Sequence, residues 1–359
     1  MHRIANDFTD IVWVTTGFLG DLILTTAGID LAAKFWPKVQ QHVVTTPLGA
    51  LALAQADHIQ TIIPFDKRGG SALQAIGKTV RSLREICLAP KRPVLLQVHR
   101  SVRTSLLTRM SHLPTITYEE SSFASHAAFR VPRIATFHEA SRIALLLEPL
   151  GMPRAEIVNV RPRLKALPLG DISGWQRQII RWREQGKSII AIAPGSVWGT
   201  KRWTKEGFAQ LIRLIARETE DAVILLGSGA EKEICEAIIQ DLGPDGLPSN
   251  TDRFLDLSGV TSLEDLCRVF PALKALVCND SAPLHYASAF DVPTVALFGA
   301  TIPEMGFGPL ANRSRTLGVE LDCRPCSDHG PQVCPKKHFR CMRDLAPSVV
   351  FSALRSITG

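Results

Sequence analysis

Apolar residues along this chain alternate between short continuous runs and longer stretches with apolar positions at helical spacing. In the first half, residues 11–16, 42–45, 61–64 and 94–98 are short apolar runs that read as strands. Residues 22–35, 71–87 and 102–110 read as helices between them, and a helix over 137–150 closes the unit. Gly151-Met152-Pro153 and a Pro-, Arg- and Lys-containing stretch as far as Gly170 read as a linker. The rhythm then restarts with a helix over 171–185, a strand over 189–193 and a helix opened by Thr204 as its cap. Strands follow over 222–226, 254–257, 275–278 and 294–298. Strand–helix alternation twice over predicts an α/β chain of two doubly wound, Rossmann-like domains, residues 1–165 and 166–359. Ligands then belong in a cleft faced by the carboxyl ends of both sets of strands.

A chain of 359 residues is long enough for two cores, and 45% hydrophobic with 21% charged residues is ordinary for a globular protein. No run of eighteen apolar residues is present, which argues against a membrane-spanning helix. Residues 1–7 carry no apolar core and an early Asp7, so a cytoplasmic address is expected. The net charge of +7 is uneven: residues 1–170 hold 20 Lys+Arg against 12 Asp+Glu, the remainder 21 against 22. Lys67-Arg68, Arg81, Arg84, Lys91-Arg92, Arg100, Arg103 and Arg109 supply much of that excess. Such a surface is simply solvated, or it meets nucleic acid, an anionic membrane or an acidic substrate. Residues 67–109 contain no aromatic side chain on which bases could stack, which disfavours nucleic acid. An anionic substrate presented at a membrane surface fits best.

Four loops fall at predicted strand ends. Thr15-Thr16-Gly17-Phe18-Leu19-Gly20-Asp21 turns sharply and places Asp21 in a first helical turn, as a helix-end cap or as a general base. Pro194-Gly195-Ser196-Val197-Trp198-Gly199-Thr200-Lys201-Arg202-Trp203 offers small residues, hydroxyls and two cations. It lacks the spacing of a phosphate-binding P-loop. Lys201 there neutralises a leaving diphosphate or stays solvated, with Trp198 and Trp203 as packing. Gly227-Ser228-Gly229-Ala230-Glu231-Lys232-Glu233 opens a helix with acids, which suit the helix end or the hydroxyls of a ribose. In the fourth, an apolar run ends at Asn279-Asp280-Ser281, with Pro283 in a first helical turn and Asp280 or Ser281 as cap. The N–H groups of Ala282, Leu284 and His285 then point outward as a phosphate site, with His285 adding a donor. The plainer alternative is a capped helix with a half-buried histidine.

The order Gly20-Asp21, Pro-Gly-Ser with Lys201-Arg202-Trp203, Gly227-Ser-Gly-Ala-Glu231, Asp280-Ser-Ala-Pro-Leu-His285 and Phe298-Gly-Ala-Thr301 resembles glycosyltransferase family 9 from about Ile11 to Leu345. These are the ADP-heptose:lipopolysaccharide heptosyltransferases. The resemblance implies a GT-B fold, with an acceptor-binding first domain and a nucleotide-sugar-binding second domain. It implies Asp21 as the base in an inverting transfer that needs no catalytic metal. Lys201, with Ser196 and Thr200, would hold the diphosphate. Asp280, Ser281, Ala282 and His285 would line the donor's phosphate and sugar, and Glu231 or Glu233 would meet the ribose. The implied acceptor is an anionic lipid A core at the inner membrane, which suits the basic first half. Where many members have Gly after Asp-Ser or Asp-Thr, this chain has Ala282, and the added methyl bears on the choice of donor sugar.

Of eight cysteines, Cys87, Cys235, Cys267 and Cys278 sit in apolar patterns. The other four, Cys323-x2-Cys326-x7-Cys334-x6-Cys341, have the spacing of a metal knuckle. A structural Zn or Fe held by four thiolates is the favoured reading over free thiols or disulfides, with His329 and His338 as spare ligands. The expected function is transfer of L-glycero-D-manno-heptose from ADP-heptose to the inner core of lipopolysaccharide. The alternatives are a family-9 transferase with another donor or a protein acceptor, and a GT-B-fold sugar-nucleotide epimerase. A metal-knuckle nucleic-acid binder leaves the four loops unexplained.

Overall fold

The computed structural model describes residues 8–66, 71–86, 90–170, 173–246 and 252–359. The acid-bearing N-terminus (1–7), the Lys67-Arg68 pair and Cys87 lie outside the described residues, as do the first two positions of the helix expected over 171–185. Two compact units divide at Met1–Lys165 and Ala166–Gly359.

The first unit is built on six parallel strands, β1 (Asp10–Val14), β2 (Gln40–Thr45), β3 (Thr61–Pro64), β4 (Pro93–Gln97), β5 (Thr115–Tyr118) and β6 (Phe129–Val131). Their order across the sheet is β3-β2-β1-β4-β5-β6. The second unit repeats the plan with β7 (Ile189–Ala193), β8 (Ala222–Leu225), β9 (Phe254–Asp256), β10 (Ala275–Asn279), β11 (Thr294–Leu297) and β12 (Ser314–Leu317), ordered β12-β11-β10-β7-β8-β9. In each unit the first strand pairs with the second and the fourth, so the two sheets have identical Rossmann-like wiring. The order reverses at β1/β4 and at β7/β10, and a crevice opens at such a point beyond the strand carboxyl ends.

The central strands β1, β7 and β10 are buried at every residue, which is why they read as unbroken apolar runs. The strands β5, β6 and β12 were not anticipated. Ser-Arg-Thr-Leu in β12 is a partly exposed edge strand with no apolar run to betray it. The helix expected over 137–150 is two pieces, an α-helix Glu139–Ala144 and a 3-10 helix Leu145–Leu150 containing Pro149. Buried Cys235, Cys267 and Cys278 are core thiols, and burial pushes Cys235 up to about 12 and Cys267 to about 11. Among the described residues no helix is long and apolar enough to cross a membrane.

At the amino edge of the first sheet, Asp10 is a buried carboxylate. It is met by Thr9 Oγ1 at 2.6 Å, His42 Nε2 at 2.9 Å and Lys91 Nζ at 3.1 Å. Burial raises its pKa, but those three partners more than offset this and hold it below the ordinary carboxylate value. A depressed carboxylate stabilises the fold fully above its unfolded pKa and loses that contribution as pH falls through the folded value. Asp10→Ala should therefore cost about 2 kcal/mol or more at neutral pH in urea denaturation. The gap to the parent chain should narrow once the pH drops below about 4.

Candidate functional site

Side chains with chemistry gather at the carboxyl ends of the strands that flank each reversal point. In the first unit the helix Leu19–Phe35 starts directly after β1, with Phe18 as its cap residue and Asp21 as its third residue. Asp21 Oδ2 accepts the Phe18 backbone N–H at 3.2 Å, so the carboxylate does cap its own helix. A Cβ on Gly17 would lie 2.7 Å from that same oxygen, so glycine is required for the turn to fold under the carboxylate. Gly20 sits in the first turn of the same helix.

Beside this loop, past the end of β4, His99 Nδ1 lies 3.1 Å from Thr16 Oγ1, which in turn is 2.9 Å from Thr104 Oγ1. Ser101 caps the helix Val102–Ser111 through the Thr104 N–H, and Gln97 Nε2 donates to Ser105 Oγ at 2.7 Å. This hydroxyl and amide network was not anticipated, because its members are single polar residues with no motif spacing.

The second unit assembles three loops around one carboxylate. Asp280, 7% exposed, follows β10, and its Oδ2 accepts Lys201 Nζ at 2.7 Å and Thr301 Oγ1 at 2.6 Å. Lys201 comes from the loop after β7 and Thr301 from the loop after β11, so adjacent strands deliver all three. Asn279 pins the Lys201 loop at both ends, donating to Pro194 O at 2.7 Å and accepting the Trp203 N–H at 3.0 Å. Ser196 and Thr200 are buried in that loop, with Arg202 Nε donating to Ser196 O at 2.7 Å. Trp203 is packing, edge-on to Phe208, whereas Trp198 stacks on His329.

Ser281 is the cap residue of the helix Ala282–Ala289, with no side-chain bond to the helix end. The Leu284 N–H, expected to be an outward donor, is used by Ser281 O at 3.1 Å. That is a correction: the anion-facing donors of this turn are fewer than the sequence suggested. His285 is buried, edge-on to Phe307 at 6.3 Å. Of the two candidate ribose acids, Glu231 turns back into the loop and accepts both the Ser228 N–H and Oγ–H at 2.8 Å. A Cβ on Gly195 would lie 1.9 Å from Glu231 Oε1, so the carboxylate lies directly over the Lys201 loop. Glu233 is exposed on the following helix.

The segment after β12 is part of this assembly. Arg324 donates to the carbonyls of Phe298 and Thr301 at 2.9 Å and also to those of Gly299 and Val319. Thr200 donates through its N–H and its hydroxyl to Pro331 O, and Gln332 Nε2 donates to Val197 O at 3.0 Å. The sequence reading treated this segment as a separate knuckle and missed Arg324. Its four cysteines do not form the expected ligand set: among the described residues no group of three or more His, Cys, Asp or Glu side chains is placed to hold a metal ion. Cys323, Cys326, Cys334 and Cys341 are free thiols. Burial pushes Cys341 up to about 11 and Cys326 up as well. Only Cys334 is lowered: burial raises it, but the backbone N–H groups of Phe339, Lys336, His338 and Lys337 outweigh that. The structural Zn or Fe is therefore not supported by this arrangement.

Residues 94–336 match the model of glycosyltransferase family 9 (heptosyltransferase). The chain is 30% identical over 204 residues to lipooligosaccharide heptosyltransferase 2 of Campylobacter jejuni subsp. jejuni serotype O:6, covering 56% of this chain and 60% of that protein. The match thus spans less than two thirds of the relative's length. Among solved structures, the family 9 glycosyl transferase of Veillonella parvula DSM 2008 superposes with a TM-score of 0.81 at 20% identity, covering 99% of both chains. The E. coli ADP-heptose lps heptosyltransferase II does so with a TM-score of 0.73 at 19% identity, covering 97% of this chain and 98% of that one. At those identities the likeness concerns the fold.

A lysine keeps the charge of Arg324 but cannot span four carbonyl oxygens. Arg324→Lys should lower stability by about 2 kcal/mol in urea denaturation, since several buried carbonyls lose their donor.

Proposed function

The chain belongs to glycosyltransferase family 9, and from that premise we propose that it transfers L-glycero-D-manno-heptose from ADP-heptose to the inner core of lipopolysaccharide, with inversion. The observation that carries the reading is the Lys201–Asp280–Thr301 cluster, set beside Glu231 and the start of the Ala282–Ala289 helix. The second unit takes the nucleotide sugar and the first takes the acceptor, a lipid A core bearing acidic sugars.

In this reading the Asp21 carboxylate removes the proton of the attacking acceptor hydroxyl. The hydroxyl oxygen forms its bond to the anomeric carbon from the face opposite the leaving group, the carbon–oxygen bond to the diphosphate breaks, and ADP departs. Lys201 and the N–H groups at the helix start meet the charge that develops on the diphosphate, so the reading invokes no metal for that task. Asp280 holds the Lys201 ammonium in place, and its 7% exposure keeps water from competing for that bond. Glu231 stands where two ribose hydroxyls could donate to it, over the turn at Gly195. Ser196, Thr200 and His285 add donors around the phosphates. The chain works in the cytoplasm at the inner membrane, where such an acceptor is assembled.

The deciding experiment is a thermal-shift comparison of ADP, UDP, GDP and CDP. A nucleotide at about 100 times its Kd should stabilise the fold by roughly 2.7 kcal/mol. Stabilisation by ADP alone supports the donor assignment; preference for another base overturns it while leaving the reaction type. Asp21→Asn should lower kcat by at least a thousandfold while leaving ADP stabilisation unchanged; turnover within tenfold of the parent would remove Asp21 as the base. Glu231→Gln should weaken ADP more than it weakens 2′-deoxy-ADP, and Glu233→Gln should leave both unchanged.

A further inference from the structure

Trp198 stands three residues before Lys201 in the loop after β7, and several contacts hold it there. The side-chain amide of Gln332 grips the main chain on both sides of it. Its Nε2 donates to Val197 O at 3.0 Å, and its Oε1 accepts the Gly199 N–H at 3.1 Å. A Cβ on Gly199 would lie 2.4 Å from Gln332 O, so glycine there lets the two segments close up. The next residue, Thr200, donates its N–H and its hydroxyl to Pro331 O. The His329 ring then lies parallel to the indole, with 6° between planes and 6.1 Å between centroids, an offset stack. Residues 329–332 thus fix both the backbone and the ring plane of Trp198.

This fixing does not bury the ring. Trp198 is half-buried and His329 exposed, whereas Trp203, five residues on, is 4% exposed and belongs to the core. An indole held by a main-chain clamp, with part of its surface left in solvent, is placed for contact with a ligand. Its position in the fold says which part of a ligand it meets. Gly195, at the start of the loop, lies under Glu231, which comes from the β8 side of the sheet. Trp198 and Thr200 instead meet the segment after β12, which also binds Ala300 and Thr301 on the β11 side. Lys201 and Asp280 follow β7 and β10, the two strands between β8 and β11. A nucleotide sugar with its ribose at Glu231 and its diphosphate at Lys201 therefore runs toward β11 with its far end, the sugar to be transferred. Sugar rings carry C–H groups that pack on the electron-rich face of an indole while the hydroxyls turn elsewhere.

We propose that Trp198, braced by Gln332 and His329, forms the apolar wall against which the transferred sugar lies, and that it selects sugars with a C–H face able to rest there. The inference rests on the reading that the second unit binds a nucleotide sugar with its ribose at Glu231. Trp198 is then a specificity-determining contact, and Gln332 is a positioning residue that acts through it. In this arrangement neither meets the nucleotide, so changing them alters the sugar's share of the affinity.

The test is calorimetric titration of the full chain with ADP and with ADP-heptose, without acceptor. Trp198→Ala should weaken ADP-heptose roughly tenfold while leaving ADP within about twofold, and Trp198→Phe should recover most of the loss. Gln332→Ala should lower the ratio of ADP-heptose to ADP affinity roughly threefold in the parent. In the Trp198→Ala background it should leave that ratio unchanged, because no indole remains to be positioned. Tryptophan fluorescence of the parent should respond to ADP-heptose beyond its response to ADP, and Trp198→Phe should abolish the excess. Equal weakening of ADP and ADP-heptose by Trp198→Ala overturns the proposal, since the indole then serves only to shape the Lys201 loop. So does unchanged affinity for both. If another nucleoside diphosphate binds in place of ADP, the heptose reading fails, and the same ratio for that nucleotide and its sugar conjugate decides the role of Trp198. Binding of none removes both readings.

Discussion

A carboxylate removed from water must be met by donors, or it is too costly to keep charged. Asp280 meets that condition by drawing Lys201 and Thr301 onto one oxygen, and in doing so it joins the loops after three neighbouring strands. The residue before it does comparable work on one loop. The Asn279 amide both donates and accepts, to Pro194 and from Trp203, so the eight residues between them are held at their entrance and their exit. Two consecutive side chains at the end of one buried strand thus fix where the cation of the site stands. Neither bond requires a ligand, so the Lys201 ammonium is placed before any phosphate arrives, and preorganised charge of this kind costs no rearrangement during reaction.

Loops that approach a ligand through their backbones carry carbonyls that need partners of their own. Here those partners come from the segment after β12. Arg324 satisfies four carbonyls, three of them in the turn at Phe298–Thr301, and the Cys326 N–H adds a bond to Ala300 O at 2.8 Å. Gly318 has no side chain because an added Cβ would sit 2.8 Å from the Arg324 guanidinium. What the cysteine spacing suggested was a metal-bound appendage. What the segment does is brace the two loops that hold Thr200, Lys201 and Thr301, through a guanidinium and main-chain bonds rather than through thiolates.

The parts of the architecture that were legible in the sequence are those dictated by burial. Strands covered on both faces are unbroken apolar runs, and β1, β7 and β10 together with the loops leaving them could be placed from that alone. The strand β12 could not: its Ser-Arg-Thr-Leu pairs through its main chain while its side chains stay partly in solvent. Candidate residues behaved in the same way. Asp21, Lys201 and Asp280 were placed at strand ends from the sequence, and they stand there in the structure. What separates Glu231 from Glu233 is the capping geometry at Ser228, because two acids two residues apart in a first turn are equivalent until the helix start is known. Arg324 acts on atoms that every residue possesses, so nothing at the receiving positions could announce it.

Two groups of cations, one in each unit, stand in different settings. In the second, Lys201, Arg202 and Arg324 are each bound to a named oxygen in the site, and the acids and bases of that half nearly balance. Charge there is local and directional, which suits a compact diphosphate. In the first, Lys78, Arg81, Arg84 and Arg109 stand exposed on the helices that follow β3 and β4. Exposed charges give little to stability through pairwise contacts, and their collective effect is a field that extends over about a Debye length. A field of that range discriminates poorly among small solutes but well among surfaces. Cations fixed to named oxygens around Asp280 and cations left exposed on the Ala72–Ile86 and Val102–Ser111 helices are therefore two different uses of the same charge.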